Sequence, residues 1–370
     1  MKLTVKRIIS IIVAVIVIIA AVFTCTYFTR FQTMNSIEKL TDYDDGYNLY
    51  RMDVKYAYDL DRIINYNITD TQSYIDALVK EALPMLPVSI KVPSFGCTAF
   101  TLTDNDGDIH MGRNYDFKLD TSSMLVYCSP ENGYKSVGFA ALNNVSADVP
   151  DESIKTKFAA LLAPLVCLDG INEKGVSIAV LTLDSEATVQ DTEKQTIATS
   201  LAIRLVLDRA ATTEEAVALL EGYDMLAVNG RDYHFYITDA SGDGRVVEYD
   251  CESETRDLVA TPTDAVTNFY VMYKEKVLPN QKNGIYGHGM ERYDAVHKVF
   301  EEQEGNFTND TVWDALKSAS QEPNPEDVTS NTQWSINYNN TDLTAEIVLR
   351  RNWEDVTQYE LEGNTAARKR

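Results

Sequence analysis

The chain opens with Lys2, Lys6 and Arg7, followed by the uncharged apolar run IISIIVAVIVIIAAVF, Ile8 to Phe23. A run of this kind is long for the apolar core of a signal peptide and close to the roughly 20 residues that a membrane span needs. The basic flank places the N-terminus inside and everything after the run outside. No clear small-x-small cleavage site follows, and Thr24 before Cys25 makes a poor lipoprotein signal. Residues 1–29 therefore read as an uncleaved transmembrane anchor, with a cleaved signal as the alternative. Either reading exports the rest of the chain.

The exported part carries most of a strong negative charge. The 370 residues hold 33 Lys and Arg against 56 Asp and Glu, a net charge of −23. Such a surface repels polyanions at long range, so nucleic acid is excluded as a partner. The cysteines Cys25, Cys97, Cys128, Cys167 and Cys251 contain no CxxC spacing, and the histidines His110, His234, His288 and His297 are scattered. That pattern signals no zinc site, and no glycine-rich phosphate motif is present, so no metal and no cofactor are expected.

Residues 30–96 read as a helical lead segment. In TDTQSYIDALVKEALPML the apolar residues Ile75, Leu78, Val79 and Leu83 recur at helical spacing, and Pro84 and Pro87 close the pattern. After Pro93 the pattern turns to strands. CTAFTLT and IHMGRNYDF flank DNDGD, whose Asp-Gly suits a tight hairpin turn; the rest of a calcium loop is missing. GVSIAVLTLD, 175–184, reads as a buried strand. ATSLAIRLVLDRA and EEAVALLEGYD read as a helix pair with Thr212 to Glu215 as a capping box. DYHFYITDASGDGRVVEYD is a second hairpin, DAVTNFY a short strand, ERYDAVHKVFEE a helix, and QWSINYNN and TAEIVLR a pair of strands turning at Thr341 and Asp342. This order suits antiparallel sheets with helices packed outside them better than a βαβ alternation.

Within the first hairpin, Cys97 follows Gly96, and Arg113 and Asp116 return on the partner strand. A thiol attacks as thiolate and needs a nearby base or positive charge. No histidine here has a motif tying it to a cysteine. Scission of the Gly96–Cys97 bond would give Cys97 a free α-amine, whose ordinary pKa near 8 lets it serve as base for its own side chain. Gly96 tolerates the backbone strain that a cleavable bond carries.

Gly-Cys-Thr followed by Gly-Arg-Asn-Tyr-Asp-Phe resembles the linear amide C–N hydrolases: bile salt hydrolases, penicillin V acylases and the related acid-ceramidase-like enzymes. The arginine lies 16 residues and the aspartate 19 residues after the cysteine, as in that family. DGINEKGVSIA (169–179), TTEEAVALLEGYD (212–224), YITDASGDGRVVEYD (236–250), VTNF (266–269), GMERYDAV (289–296) and TQWSINYN (332–339) are similar too. The resemblance implies an α+β fold, the αββα four-layer sandwich of N-terminal-nucleophile hydrolases, over residues 97–370. It also implies that Cys97 supplies thiolate and amine, Arg113 favours the thiolate, Asp116 orients the amine, Asn268 donates to the oxyanion, and Arg292 closes the polar side. The family's bile salt hydrolases have an asparagine where this chain has Thr182. The implied reaction is hydrolysis of an N-acyl amine through an acyl-thioester. Acyl transfer to an amine, or an inactive binding module of the same fold, are the alternatives. The partners so implied are a small-molecule N-acyl amide and the membrane, through the N-terminal helix; further copies of the chain, as a homo-oligomer, are left open. The anchor reading places the protein in the cell membrane as a single-pass protein with its catalytic domain extracellular.

Overall fold

The computed structural model describes residues 2–86, 96–228, 230–279, 284–324, 326–327 and 330–369. Pro87 and Pro93 lie outside the described residues. The apolar run forms one long helix, Lys2–Asn35, of which Arg7–Asn35 is long and apolar enough to cross a membrane or to be a signal sequence. Its outer turns are exposed, whereas Tyr27, Arg30, Thr33 and Met34 near its end are buried against the folded body. Arg30 donates from Nε to the Ala82 carbonyl at 2.7 Å and from Nη2 to the Glu81 carbonyl at 2.6 Å. These carbonyls belong to the last turn of the helix Thr71–Ala82, where backbone acceptors lack partners within the helix and a cation is favoured.

Among the described residues two main sheets form. The first has nine strands in the order Glu38–Lys39, Leu49–Asp53, Ser123–Cys128, Ser136–Ala141, Asp169–Asn172, Ser177–Leu183, Asp232–Thr238, Arg245–Tyr249, Leu258–Pro262. The second has seven, in the order Ala265–Val266, Gly96–Thr103, Ile109–Asp116, Thr332–Asn339, Thr344–Leu349, Val356–Glu360, Thr365–Lys369. Helices Thr199–Arg209 and Thr213–Glu221 pack on the first sheet, and Met290–Glu302 and Asn309–Ser318 on the second. The result is the helix–sheet–sheet–helix sandwich expected from the order of elements. Strand Ser177–Leu183 is buried along its whole length, as a strand covered on both faces must be.

The lead segment departs from its helical expectation. It supplies the helices Leu60–Ile64 and Thr71–Ala82 but also the strands Glu38–Lys39 and Leu49–Asp53. Leu49–Asp53 runs parallel to Ser123–Cys128, so the lead completes the first sheet. Helical periodicity holds over residues 71–82, whereas LYRMD is too short to declare its state by pattern alone. Tyr58 reinforces the join by donating to Asp208 at 3.0 Å, and Gln195 Nε2 donates to the Ile64 carbonyl at 3.0 Å.

The hairpin that carries Cys97 is held flat by a close approach. A Cβ added to Gly112 would lie 2.1 Å from the Phe100 ring, and that ring is buried edge-on against Phe300 at 5.6 Å. Overpacking a site that cannot relax costs about 1–3 kcal/mol. Gly112→Ala is expected to lower the unfolding free energy by about that amount, read from the urea midpoint at unchanged slope.

Candidate active site

The register of the hairpin decides what meets Cys97. Gly96–Thr103 and Ile109–Asp116 pair so that Cys97 lies opposite Tyr115, Ala99 opposite Arg113, and Gly96 opposite Asp116. Alternation then puts Cys97, Ala99, Arg113 and Tyr115 on one face. That face looks into the sandwich, and all four are fully buried. Tyr115 stacks on Trp334 with ring centroids 4.0 Å apart, closing the floor beside the sulfur.

Burial pushes the Cys97 thiol up to about 12, and the neighbouring Arg113 guanidinium works against that rise. Arg113 reaches across to the first sheet. Its Nε donates to Asp169 Oδ2 at 3.3 Å and its Nη2 to the Val180 carbonyl at 2.8 Å, while Nη1 takes the Asn114 carbonyl at 3.0 Å. Asp169 also accepts from Tyr338 Oη at 2.5 Å and Trp334 Nε1 at 3.3 Å. Burial pushes the Asp169 carboxyl up, and Arg113 is the foremost influence holding it down.

Asp116 is equally enclosed. Its Oδ1 accepts from Thr332 Oγ1 at 2.6 Å and its Oδ2 from Gln321 Nε2 at 2.8 Å, with Arg292 Nη1 at 3.5 Å. Burial raises its carboxyl above the usual range, countered first by Arg292 and then by these hydrogen bonds. Arg292 Nη1 also donates to the Cys97 carbonyl at 2.5 Å and to Thr98 Oγ1 at 3.0 Å, and its Nη2 to Asn268 Oδ1 at 2.8 Å.

Asn268 has a different posture from the one the resemblance implied. Its Oδ1 accepts the Cys97 backbone N–H at 2.9 Å, and its Nδ2 donates to the Thr182 carbonyl at 2.8 Å and Thr182 Oγ1 at 3.2 Å. Cys97 N–H and the Arg292 guanidinium are donors only, so the atom facing them must be the oxygen. The amide hydrogens that were expected at an oxyanion are directed at Thr182 in the continuous chain.

Cys97, Arg113, Asp116, Asn268 and Arg292 are thus brought together, from four separate stretches of chain. Asp169, Thr332 and Gln321 join them without having been singled out beforehand. The signal for Asp169 was one acid set between apolar residues in CLDGIN. Gln321 and Thr332 carried no local signal. The histidines lie elsewhere: His234 is bound by Glu248 at 3.2 Å, His288 by Asp184 at 2.7 Å, and His297 by Asp264 at 3.0 Å. Asp104, Asp108 and His110 cluster at the hairpin turn, where Asp104 Oδ1 accepts the backbone N–H groups of Asp106 and Asp108 at 3.0 and 2.9 Å. Those bonds are the work of a turn-forming aspartate.

Residues 97–255 match the family model of the linear amide C–N hydrolases, choloylglycine hydrolase family. No curated protein matches the sequence. Among solved structures, a variant of conjugated bile acid hydrolase from Clostridium perfringens superposes with a TM-score of 0.55 at 16% identity, over 74% of this chain and 97% of that one. Penicillin V acylase from Agrobacterium tumefaciens gives a TM-score of 0.51 at 18% identity, over 72% and 86%. At such identities the superpositions speak for the fold, which is that of the N-terminal-nucleophile hydrolases.

Removing one member of a buried ion pair strands the other, at a cost of about 3–5 kcal/mol. Arg113→Met should therefore destabilise the fold by about that much, and adding Asp169→Leu should restore most of it. Chemical denaturation of the single and double variants measures both.

Proposed function

We propose that this linear amide hydrolase cleaves the amide bond of a small N-acyl amine with Cys97 as nucleophile, after its own chain is cut between Gly96 and Cys97. The observation that carries the reading is the convergence of a guanidinium, Arg113, and a carboxylate, Asp116, on the buried Cys97 thiol, with Asn268 Oδ1 on the Cys97 backbone nitrogen. As an amide, that nitrogen has no basicity. As an amine it would sit between Asn268 Oδ1 and Asp116, and could take the thiol proton that burial otherwise retains.

The first turnover is on the chain itself. Cys97 Sγ attacks the Gly96 carbonyl, the C–N bond breaks, and the nitrogen leaves as the Cys97 amine. Water then splits the thioester, leaving Gly96 with a carboxylate. In each later cycle Sγ attacks the substrate carbonyl while its proton moves to the Cys97 amine. The C–N bond breaks, and that proton passes to the departing amine. Water, deprotonated by the Cys97 amine, hydrolyses the thioester and releases the acid. Arg113 favours the thiolate, Asp116 orients the amine, and Arg292 holds the Cys97 carbonyl. With Asn268 Nδ2 turned to Thr182, the oxyanion donor is Asn268 after a turn of its side chain, or the Thr182 hydroxyl.

Residues 1–29 would serve as anchor or signal, 30–96 as a lead chain that stays in the first sheet, and 97–370 as the catalytic domain. A narrow apolar cavity adjoins the site, lined by Tyr74, Val166, Leu168, Val180, Ile203 and Tyr233. Tyr74 brings the lead segment into its wall, and at about 30 Å³ the cavity must widen to take the acyl side of a substrate.

Intact-mass and N-terminal analysis of the purified protein should find a chain starting at Cys97, copurifying with residues that precede it. A fully active protein with an intact Gly96–Cys97 bond would overturn the reading. Cys97→Ala should remain uncut and inert, its activity on a panel of N-acyl amides falling at least 1,000-fold, on the order seen when a nucleophile is removed. The kcat/KM profile should lose activity on the acid side as the Cys97 amine takes up a proton, since the protonated amine cannot serve as base.

A further inference from the structure

We propose that Arg351 is a positioning residue for the reaction at Cys97, acting through the Gln321–Thr332 pair that holds Asp116. The proposal rests on the reading above, in which Asp116 orients the Cys97 amine.

Both oxygens of Asp116 are occupied, one by Thr332 Oγ1 and the other by Gln321 Nε2. A carboxylate fixed at both oxygens has a defined rotation, and that rotation determines where a third donor can approach. Gln321 and Thr332 are tied to each other as well. Thr332 N–H donates to the Gln321 carbonyl at 2.9 Å, and Gln321 N–H to Thr332 Oγ1 at 2.8 Å. The Thr332 hydroxyl accepts from one side, and its single proton is thereby directed at Asp116.

One further nitrogen bridges the pair. Arg351 Nη1 donates to the Gln321 carbonyl at 2.9 Å, to the Thr332 carbonyl at 3.1 Å and to Asn331 Oδ1 at 3.1 Å. The planar guanidinium fixes the direction of that nitrogen's N–H bonds, which an ammonium on a flexible stem does not. The backbone is strained to deliver it: Arg350 and Arg351 both lie in the left-handed region, at φ 45° and 60°. Strain of this kind in a non-glycine residue persists where the surroundings over-determine it, and it gathers around functional sites. Arg350 is pinned in turn, its N–H donating to the Gln333 carbonyl at 2.9 Å and its Nη2 to the Tyr47 carbonyl at 3.1 Å.

The charged groups around Asp116 are Arg292 and Arg113, with the Cys97 thiol beside them. The Thr332 and Gln321 hydrogen bonds lower the carboxyl's pKa. Loosening them raises it, so the Asp116 carboxylate is lost at a higher pH, and the acid limb, which protonation of the Cys97 amine begins and loss of this carboxylate steepens, moves upward.

The test compares wild type with Arg351→Ala, Arg351→Lys and Gln321→Ala. It follows the rate of scission before Cys97 by intact mass, and kcat and KM on the fastest amide of the panel across pH. Arg351→Ala and Gln321→Ala are expected to slow both scission and kcat about 10-fold or more with little change in KM, and to move the acid limb up by about half a pH unit or more. Arg351→Lys should recover part of both. Folded variants with wild-type kcat and an unmoved acid limb overturn the proposal while leaving Cys97 as nucleophile. Should Arg351→Ala not fold, Gln321→Ala decides by the same two readouts. A wild-type protein that is active without scission overturns the proposal together with the reading it rests on.

Discussion

A guanidinium enclosed between two sheets cannot stand alone, and in this protein the matching of Arg113 to Asp169 sets much of what surrounds it. Arg113 belongs to the hairpin of the second sheet and Asp169 to the first, so the pair ties the two layers together at the depth of Cys97. Desolvating both charges is costly, and the cost is offset only because every oxygen of Asp169 has a donor: Arg113, Trp334 and Tyr338. Those aromatic donors come from Thr332–Asn339, the strand that also delivers Thr332 to Asp116. One strand therefore serves both buried carboxylates.

On the proposed reading, the continuous chain is a quiet state. Its Cys97 nitrogen is an amide, its thiol is pushed up to about 12 by burial, and the Asn268 amide hydrogens are committed to Thr182. Each of these is a property of the uncut chain. On the proposed reading, cutting the Gly96–Cys97 bond would change the first outright, by turning a donor-only nitrogen into a base.

The parts of this site that the sequence disclosed are those linked by short-range geometry. With DNDGD as the turn, Arg113 and Asp116 must return beside Cys97, because strand register is fixed by the loop that joins the strands. Asn268 and Arg292 were legible only through family resemblance, since nothing local separates an oxyanion asparagine from a turn former. Gln321 and Arg351 were not legible at all. They reach Asp116 and one another across 205 and 30 residues, and their role depends on a strained turn that no periodicity announces. In the fold, the helix pair and the hairpins followed from capping residues and alternation. The lead's strand Leu49–Asp53 did not, because a short parallel strand acquires its state from the partner it meets.

That strand has a consequence for how the molecule keeps company with itself. Ser123–Cys128 reads SMLVYC, uncharged and rich in β-forming residues, and Leu49–Asp53 occupies its outer side. Without the lead it would become a bare sheet edge, a template for pairing with any extended chain. The sheet ends in the two-residue strand Glu38–Lys39, short and charged, which offers little to a newcomer. Residues 38–53 thus form the border of that sheet and cover an edge that would otherwise be open to pairing.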